Sequence, residues 1–539
     1  MCSRVLKDSA HQGRFANWLD HRFETLIQHY RHFLATCLDN RGAVLLLAGV
    51  LLASLPALFF LAQEELAPEE DTGAVYITGS APRYANLAYQ DFYLSQIVDI
   101  WQEIPEFSHS WQVIRPGSNF GGVTLHPWDE RERDQKELLA ELQGKLSQIT
   151  GMELFAFGEP SLPGSDAGLP VSFVVASTAE YREIMRVGEE LLAAARESGL
   201  FAFVTQSLNF DRPEITVEID RDRASRLGIS MQEVGETLAV MLGEAEVNRF
   251  TLEGRSYKVI PQAGRNFRLT SDELERYYLR TDSGTLVPLS AVVTLNSRVE
   301  PNSLTQYQQL NSTTIQGFMM PPNSLGAGLE FLEQKLNEIA PSGFRVGHTG
   351  ASRQFVQESA SFPVLFALSL SLIFLVLAAQ FNSFRDPLVV LVTVPLSIFG
   401  AVVPIALGFV TLNIYSQVGL LTLIGLISKH GILIVEFSNK LAGQGMDKRE
   451  AVLEGASKRL RPILMTTFAT VLGIWPLVIA SGAGAQSHFS IGVMITCGML
   501  VGTLFTLFVV PVFYLPFSKA GKRTSSLKVE AELARPTAT

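Results

Sequence analysis

Hydrophobic positions along this chain fall into two regimes. Six stretches of roughly twenty residues are almost free of charge. Between the first and second of them, a long segment alternates short apolar runs with polar ones. A bilayer core of ~30 Å requires ~20 mostly apolar residues in a helix. The stretches Ala43–Ala62, Phe362–Phe381, Pro387–Phe409, Tyr415–Phe437, Pro462–Ser481 and Ile491–Leu515 therefore predict six membrane spans. Ahead of the first span, Phe15, Leu19, Phe23, Leu26, Ile27, Tyr30, Phe33, Leu34 and Cys37 recur at three- and four-residue steps, with polar residues filling the other face. That period predicts an amphipathic helix lying in the membrane interface.

Lys and Arg in short loops set the orientation of such a bundle. Arg4, Lys7, Arg14, Arg22, Arg31 and Arg41 precede the first span. Lys440, Lys448, Arg449, Lys458, Arg459 and Arg461 follow the fourth, and Lys519, Lys522, Arg523, Lys528 and Arg535 follow the sixth. Residues 410–414 and 482–490 carry no Lys or Arg. The alternation predicts cytoplasmic termini and an exterior segment at about 63–361.

Within the exterior segment, strand and helix patterns follow the order βαββαβ from Val75 to Phe157, the order of a ferredoxin-like split unit. A second such unit is expected from Pro170–Ala176, Glu180–Arg196, Ala202–Leu208 and Ile215–Asp220, resuming at Thr313–Met319, Leu325–Ile339 and Phe344–His348. The expected organisation is a cytoplasmic segment at 1–42, a first span at 43–62, a first α+β subdomain at 63–165, a second at 166–220 and 298–355, an insertion at 221–297, five spans at 356–515 and a tail at 516–539. The fold class is thus an α-helical bundle of six transmembrane helices with a large α+β exterior region.

Composition agrees with this picture. Hydrophobic residues make up 47% of 539 residues and charged residues only 18%, with a mean hydropathy of +0.21. Few charges and positive hydropathy exclude a disordered chain and argue against a wholly soluble one. A net charge of −10 offers no electrostatic footprint for nucleic acid. The three cysteines, Cys2, Cys37 and Cys497, lie outside the exterior segment, so a disulfide scaffold is excluded. No Cys/His cluster has metal-ligand spacing, and no P-loop, GxSxG or HExxH occurs. No enzyme activity, cofactor or metal is expected.

One ionisable residue stands inside a span. Lys429 has six or more apolar or small residues on either side. A Lys at the centre of a membrane helix costs about 2.5–3.5 kcal/mol, so it ordinarily faces a polar interior and a partner. The other five spans contain no Asp or Glu, Glu358 and Asp386 lie at span edges, and Glu436 is two helical turns away. Either burial keeps the amine neutral, or acidic groups from outside this sequence pair with it. A buried functional Lys is the expectation over a snorkelling one. His430, the next residue, points about 100° away. Thr466 and Thr467 in the fifth span could bond across helices or back to their own helix. The sequence GSNFGG at 117–122 reads first as a hairpin and, in a second reading, as a ligand loop with Phe120 as an aromatic contact.

The sequences QVGLLTLIGLISKHGILIVEF (Gln417–Phe437), KRLRPILMTTFATVLGIWPLVIASGAGA (Lys458–Ala485), FVVPVF (Phe508–Phe513) and LAPEEDTG (Leu66–Gly73) resemble the resistance-nodulation-cell division transporters, most closely the AcrB-type hydrophobe/amphiphile multidrug efflux pumps. The resemblance covers essentially the whole chain and corresponds to the second of the family's two six-span halves. It implies proton-driven export of hydrophobic or amphiphilic compounds from the inner membrane. It further implies a relay of Lys429, Thr466 and Arg459 facing an Asp pair in the N-terminal half, which this sequence does not contain. The implied partners are that N-terminal half, a trimeric assembly, a periplasmic adaptor and an outer-membrane channel. The exterior subdomains would be porter elements, and the insertion would be the docking part. Two departures stand out. His430 replaces the Asn often found after the relay Lys, and the loop at Arg115–Gly121 is short, with Phe120 its one Phe. The alternatives are a SecD/SecF-like protein-export accessory, which shares six spans and a large loop after the first, and a non-transporting truncated product.

Overall fold

The computed structural model describes residues 14–82, 85–115, 118–160, 162, 169–243, 245–301, 303–320 and 323–517. The charges expected before residue 14 and in the tail after 517, and part of the turn at 116–117, lie outside them. The chain divides into two compact units, one of which is formed by residues 81–89 and 208–305.

The larger unit contains the apolar helices. Helix α1 (Arg14–Asp39) leads into α2 (Arg41–Phe60), and the chain returns through α7 (Gly350–Phe381), α8 (Arg385–Leu391), α9 (Thr393–Ala406), α10 (Ile414–Gly443), α11 (Lys448–Val478) and α12 (Ala485–Phe517). Among the described residues, six helical stretches are long and apolar enough to cross a membrane, with α8 and α9 counting as one. The third span breaks at Val392, between α8 and α9. Three stretches, α8–α9, α10 and α12, are mostly buried in the chain, while α2, α7 and α11 stay mostly exposed. The buried three approach closely because small residues line their contacts. A Cβ on Gly498 would lie 2.2 Å from Leu423, and one on Gly502 would lie 2.5 Å from Ser397.

Several helices outrun the apolar runs that predict them. The second begins at Gly350 rather than Phe362, and the fifth at Lys448 rather than Pro462. Arg449, Lys458, Arg459 and Arg461, expected in a loop, therefore stand on helix α11. Hydropathy marks the part of a helix that sits in hydrocarbon, whereas backbone hydrogen bonding continues past it.

Helix α1 lays Tyr30, Leu34 and Leu38 into a core shared with Val389, Ile434, Leu460 and Val510. Its polar side pairs with α11 through Arg31–Glu454, Asp20–Arg461 and Asp39–Arg449. The apolar stripe read as membrane-interfacial thus covers helix ends, while Trp18, Leu26 and Phe33 remain exposed.

Two antiparallel sheets follow the first span. In the first, β1 (Ala74–Ser80), α3 (Leu87–Gln102), β2 (Phe107–Arg115), β3 (Ser118–Leu125), α4 (Gln135–Leu146) and β4 (Glu153–Gly158) give the sheet order β2-β3-β1-β4. β1 alternates strictly, with Val75 and Ile77 buried, and α3 and α4 contribute Ile97, Trp101, Leu138 and Leu142 to the core. The second set, β5 (Val171–Ser177), α5 (Tyr181–Glu197), β6 (Phe201–Gln206), β7 (Leu310–Met319), α6 (Leu325–Ile339) and β8 (Arg345–His348), repeats that order as β6-β7-β5-β8. β5, flanked by strands on both sides, is buried along its whole length.

In sequence, most of the second unit falls after β6 and before β7, and that part begins earlier than expected. The run Ile215–Asp220, read as part of the second sheet, falls in a strand Arg212–Ile219 that instead pairs antiparallel with Val293–Glu300, in register from Val293 opposite Ile219 to Glu300 opposite Arg212. Alternation identifies a strand, but it does not say which partner the strand takes. This unit has its own small core of Ala224, Ile229, Val234, Tyr277, Leu279, Leu289 and Val292, and a hairpin of Asn248–Leu252 with Arg255–Val259.

Residues 63–73, between the first span and β1, touch three places. Leu412 donates its N–H to the Gln63 carbonyl at 2.8 Å, and the Glu65 carboxylate accepts from the Thr411 hydroxyl. Glu70 is buried and accepts from the backbone N–H groups of Gln486 at 3.2 Å and Ser487 at 2.6 Å, as well as from the Ser487 hydroxyl. Asp71 forms a two-pronged pair with Arg131, at 2.9 and 3.2 Å.

Candidate functional site

Helix α10 starts with a reciprocal cap. Asn413 Oδ1 accepts from Ser416 N–H at 3.0 Å, and Ser416 Oγ accepts from Asn413 N–H at 2.8 Å. From that anchored start, the 3.6-residue period sends Lys429 and His430 in different directions. Lys429 is exposed on the side of α10 that the chain's own helices leave open, together with Thr422, Gly425 and Glu436. It forms no ion pair among the described residues. The helix-to-helix ion pairs of the bundle, Arg31–Glu454, Asp20–Arg461 and Asp39–Arg449, all lie between α1 and α11. Among the described residues no helix covers that face of α10, so Lys429 is not buried by them.

His430 turns inward and is 1% exposed. Its Nε2 lies 3.4 Å from the Thr466 hydroxyl of α11, and its Nδ1 lies 3.3 Å from the Thr503 hydroxyl of α12. Thr503 in turn lies 3.1 Å from the Thr467 hydroxyl. Thr466 and Thr467 both donate to the Ile463 carbonyl, at 2.9 and 3.0 Å. Three helices are thus joined by four polar side chains in an otherwise apolar setting. Both readings of the threonines hold at once, since each bonds back to its own helix and also reaches across to a neighbour.

Arg459 precedes Thr466 by seven residues, two turns or about 10 Å along α11 on the same face. It is half-buried, with its guanidinium carbon 4.7 Å from the centre of the Phe437 ring. Its Nε has no hydrogen-bond partner among the described residues. The structure therefore joins Thr466 to His430, leaves Lys429 on the open face and sets Arg459 against Phe437. Thr503 was not singled out in the sequence, because no spacing links a sixth-span Thr to a fourth-span His.

Phe120 lies far along the chain from these residues, in strand β3. β2 and β3 pair as a hairpin, as first read. Phe120 stacks on Tyr76 at 5.5 Å and meets the edge of Trp111 at 5.3 Å. Phe157 extends this aromatic face to Phe318 of β7 at 5.2 Å.

The model of the AcrB/AcrD/AcrF family matches residues 1–518. An uncharacterized transporter of Haemophilus influenzae is 38% identical over 524 residues, covering 95% of this chain and 51% of that protein. The toluene efflux pump membrane transporter TtgB of Pseudomonas putida is 31% identical over 531 residues, with 96% and 50% covered. Multidrug resistance protein MdtF of Escherichia coli K12 is 31% identical over 537 residues, with 96% and 52% covered. The chain spans about half the length of the curated relatives it matches. With six helices among the described residues long and apolar enough to cross a membrane, paired α+β sheets and this continuous match, the chain belongs to the AcrB/AcrD/AcrF family of resistance-nodulation-cell division efflux transporters.

Proposed function

We propose that this chain supplies the Lys-bearing half of a proton-motive-force-driven transporter that exports hydrophobic or amphiphilic compounds across the cell envelope. The observation that carries the reading is the position of Lys429. It stands on an open face of a helix apolar enough to cross a membrane and forms no ion pair among the described residues. A lone amine there costs about 2.5–3.5 kcal/mol, which an acidic partner from outside this sequence would offset. In this reading the Asp pair of the N-terminal half meets Lys429. Protonation of that pair frees the amine, and the helices carrying Lys429, Thr466 and Arg459 rearrange.

The charge pattern of the loops supports cytoplasmic termini and a periplasmic exterior region. The repeated sheet order supports two ferredoxin-like porter subdomains, and the separate unit at 208–305 supports a docking element. Membership of the family supports assembly as a trimer with a periplasmic adaptor and an outer-membrane channel. The toluene named for the TtgB pump supports hydrophobic cargo. Phe120 and its aromatic neighbours are the proposed contact for such molecules.

Reconstitution in proteoliposomes with an imposed proton gradient tests the reading. Lys429→Ala should abolish proton-coupled export in the assembled transporter while membrane insertion persists. Undiminished export by that variant, or robust proton-coupled export by these 539 residues with no other polypeptide present, would overturn it.

A further inference from the structure

Alternate positions of β3 turn toward the core of the first sheet: Asn119, Gly121, Val123 and Leu125 are all buried. An Asn in such a row gives up its hydration and needs hydrogen bonds inside the protein. Asn119 is 4% exposed and stands opposite Gly79 of β1 and Ile114 of β2. Neither its Oδ1 nor its Nδ2 has a partner among the described residues. Trp101, in the last turn of α3, is 1% exposed, and its Nε1 is likewise without a partner among them. Both side chains line one cavity, together with Gly79, Ile97, Gln112 and Gly121. Gln112 is already engaged, its Nε2 donating to the Leu94 carbonyl at 3.2 Å. The two glycines bring no side chain into the space, which leaves about 10 Å³ for the centre of a water-sized sphere. That is room for one water molecule. The amide donor, the amide acceptor and the indole N–H also meet the requirement of an internal water for about two to four polar partners.

We propose that this cavity is a hydration site. One buried water accepts the Trp101 indole proton and is held on its other side by the Asn119 amide, joining the end of α3 to the start of β3. The indole can only donate, so the direction of that bond involves no choice, and the amide meets the water with either end. Phe120 is the next residue of β3 and turns to the opposite face, where it stacks on Tyr76 at 5.5 Å. The water thus backs the strand that presents the proposed cargo contact. That role rests on the reading above, while the site itself does not.

The test is NMR on the full chain in lipid nanodiscs, with ¹⁵N in its tryptophan indoles. Five Trp residues give five indole signals, and the one lost in Trp101→Phe belongs to Trp101. We expect a direct dipolar contact between water protons and the Trp101 indole proton, together with slow exchange of that proton into bulk solvent. Asn119→Leu, close in shape but unable to hold a water, should abolish the contact and move the indole proton upfield, toward the position of an unbonded N–H. A Trp101 indole without water contact in the unmodified chain, or a contact unchanged in Asn119→Leu, overturns the site. The first of these needs no variant to fold. Melting curves give a second readout. Asn119→Leu strands the indole and should lower the melting temperature of the exterior region, and it should cost less in a Trp101→Phe background, where no indole is stranded. A higher melting temperature for Asn119→Leu, or an equal cost in both backgrounds, also overturns the site. No readout here depends on export, so failure of the transport reading leaves each of them intact.

Discussion

Tyr30 donates its phenol proton to the Leu507 carbonyl across 2.7 Å, and Pro511 explains why that carbonyl is free to accept. In a helix, the Leu507 carbonyl would take the N–H of residue 511, which a proline lacks. The helix ahead of the first span thus mends a gap in the last one. Tyr30→Phe leaves the buried carbonyl unsatisfied and should cost about 1–3 kcal/mol. Faster proteolysis of residues 14–40 and faster amide exchange near Leu507 in the variant would register this, and unchanged rates would contradict it.

Glu70 serves as a cap brought in from more than four hundred residues away. Its carboxylate takes two backbone N–H groups of the first turn of α12 that have no partner within the helix. Charged hydrogen bonds of this kind are worth about 1.5–3 kcal/mol. Glu70→Ala should raise amide exchange at Gln486 and Ser487 strongly, with Glu70→Gln intermediate.

The Arg131 side chain is 3% exposed and pairs with Asp71, whose carboxylate also accepts from the backbone N–H groups of Gly73 and Gln135. Removing one member of a buried pair strands the other, at about 3–5 kcal/mol. Arg131→Met should therefore lower the melting temperature of the exterior region more than removal of an exposed pair such as Arg186–Glu190. Equal effects of the two changes would refute the difference.

Glu65 provides a pH dependence. Burial raises its carboxyl above the ordinary 4.5, the negative charge of Glu69 adds to this, and the bond from Thr411 opposes it. The folded chain thus holds the proton more tightly than the unfolded one. The stability gained is present at and below the ordinary value and is lost as pH rises through the raised one. Glu65→Gln should remove that decline and leave the variant no less stable than the parent at neutral pH. Melting curves across mildly acidic pH decide this, and an unaltered slope in Glu65→Gln would rule Glu65 out as its source.

The spans were legible in the sequence because twenty uncharged residues have few other fates. Their ends were not, since α7 and α11 continue as helices well into polar sequence. Lys429 was legible as an anomaly, and the 100° step correctly set His430 apart from it. What His430 meets was illegible. Thr466 lies 36 residues away and Thr503 lies 73 away, and only packing brings them together. The strand at 212–219 failed for a similar reason, because its exposed, polar composition suits any edge and names no partner.

Glu70 and Asp71 are consecutive residues, so the grip on the start of α12 and the grip on Arg131 are separated by a single peptide unit, about 3.8 Å between Cα atoms. A linkage that short has no slack. The start of the sixth span and the segment that carries Arg131 are therefore coupled through neighbouring carboxylates on one short stretch of backbone.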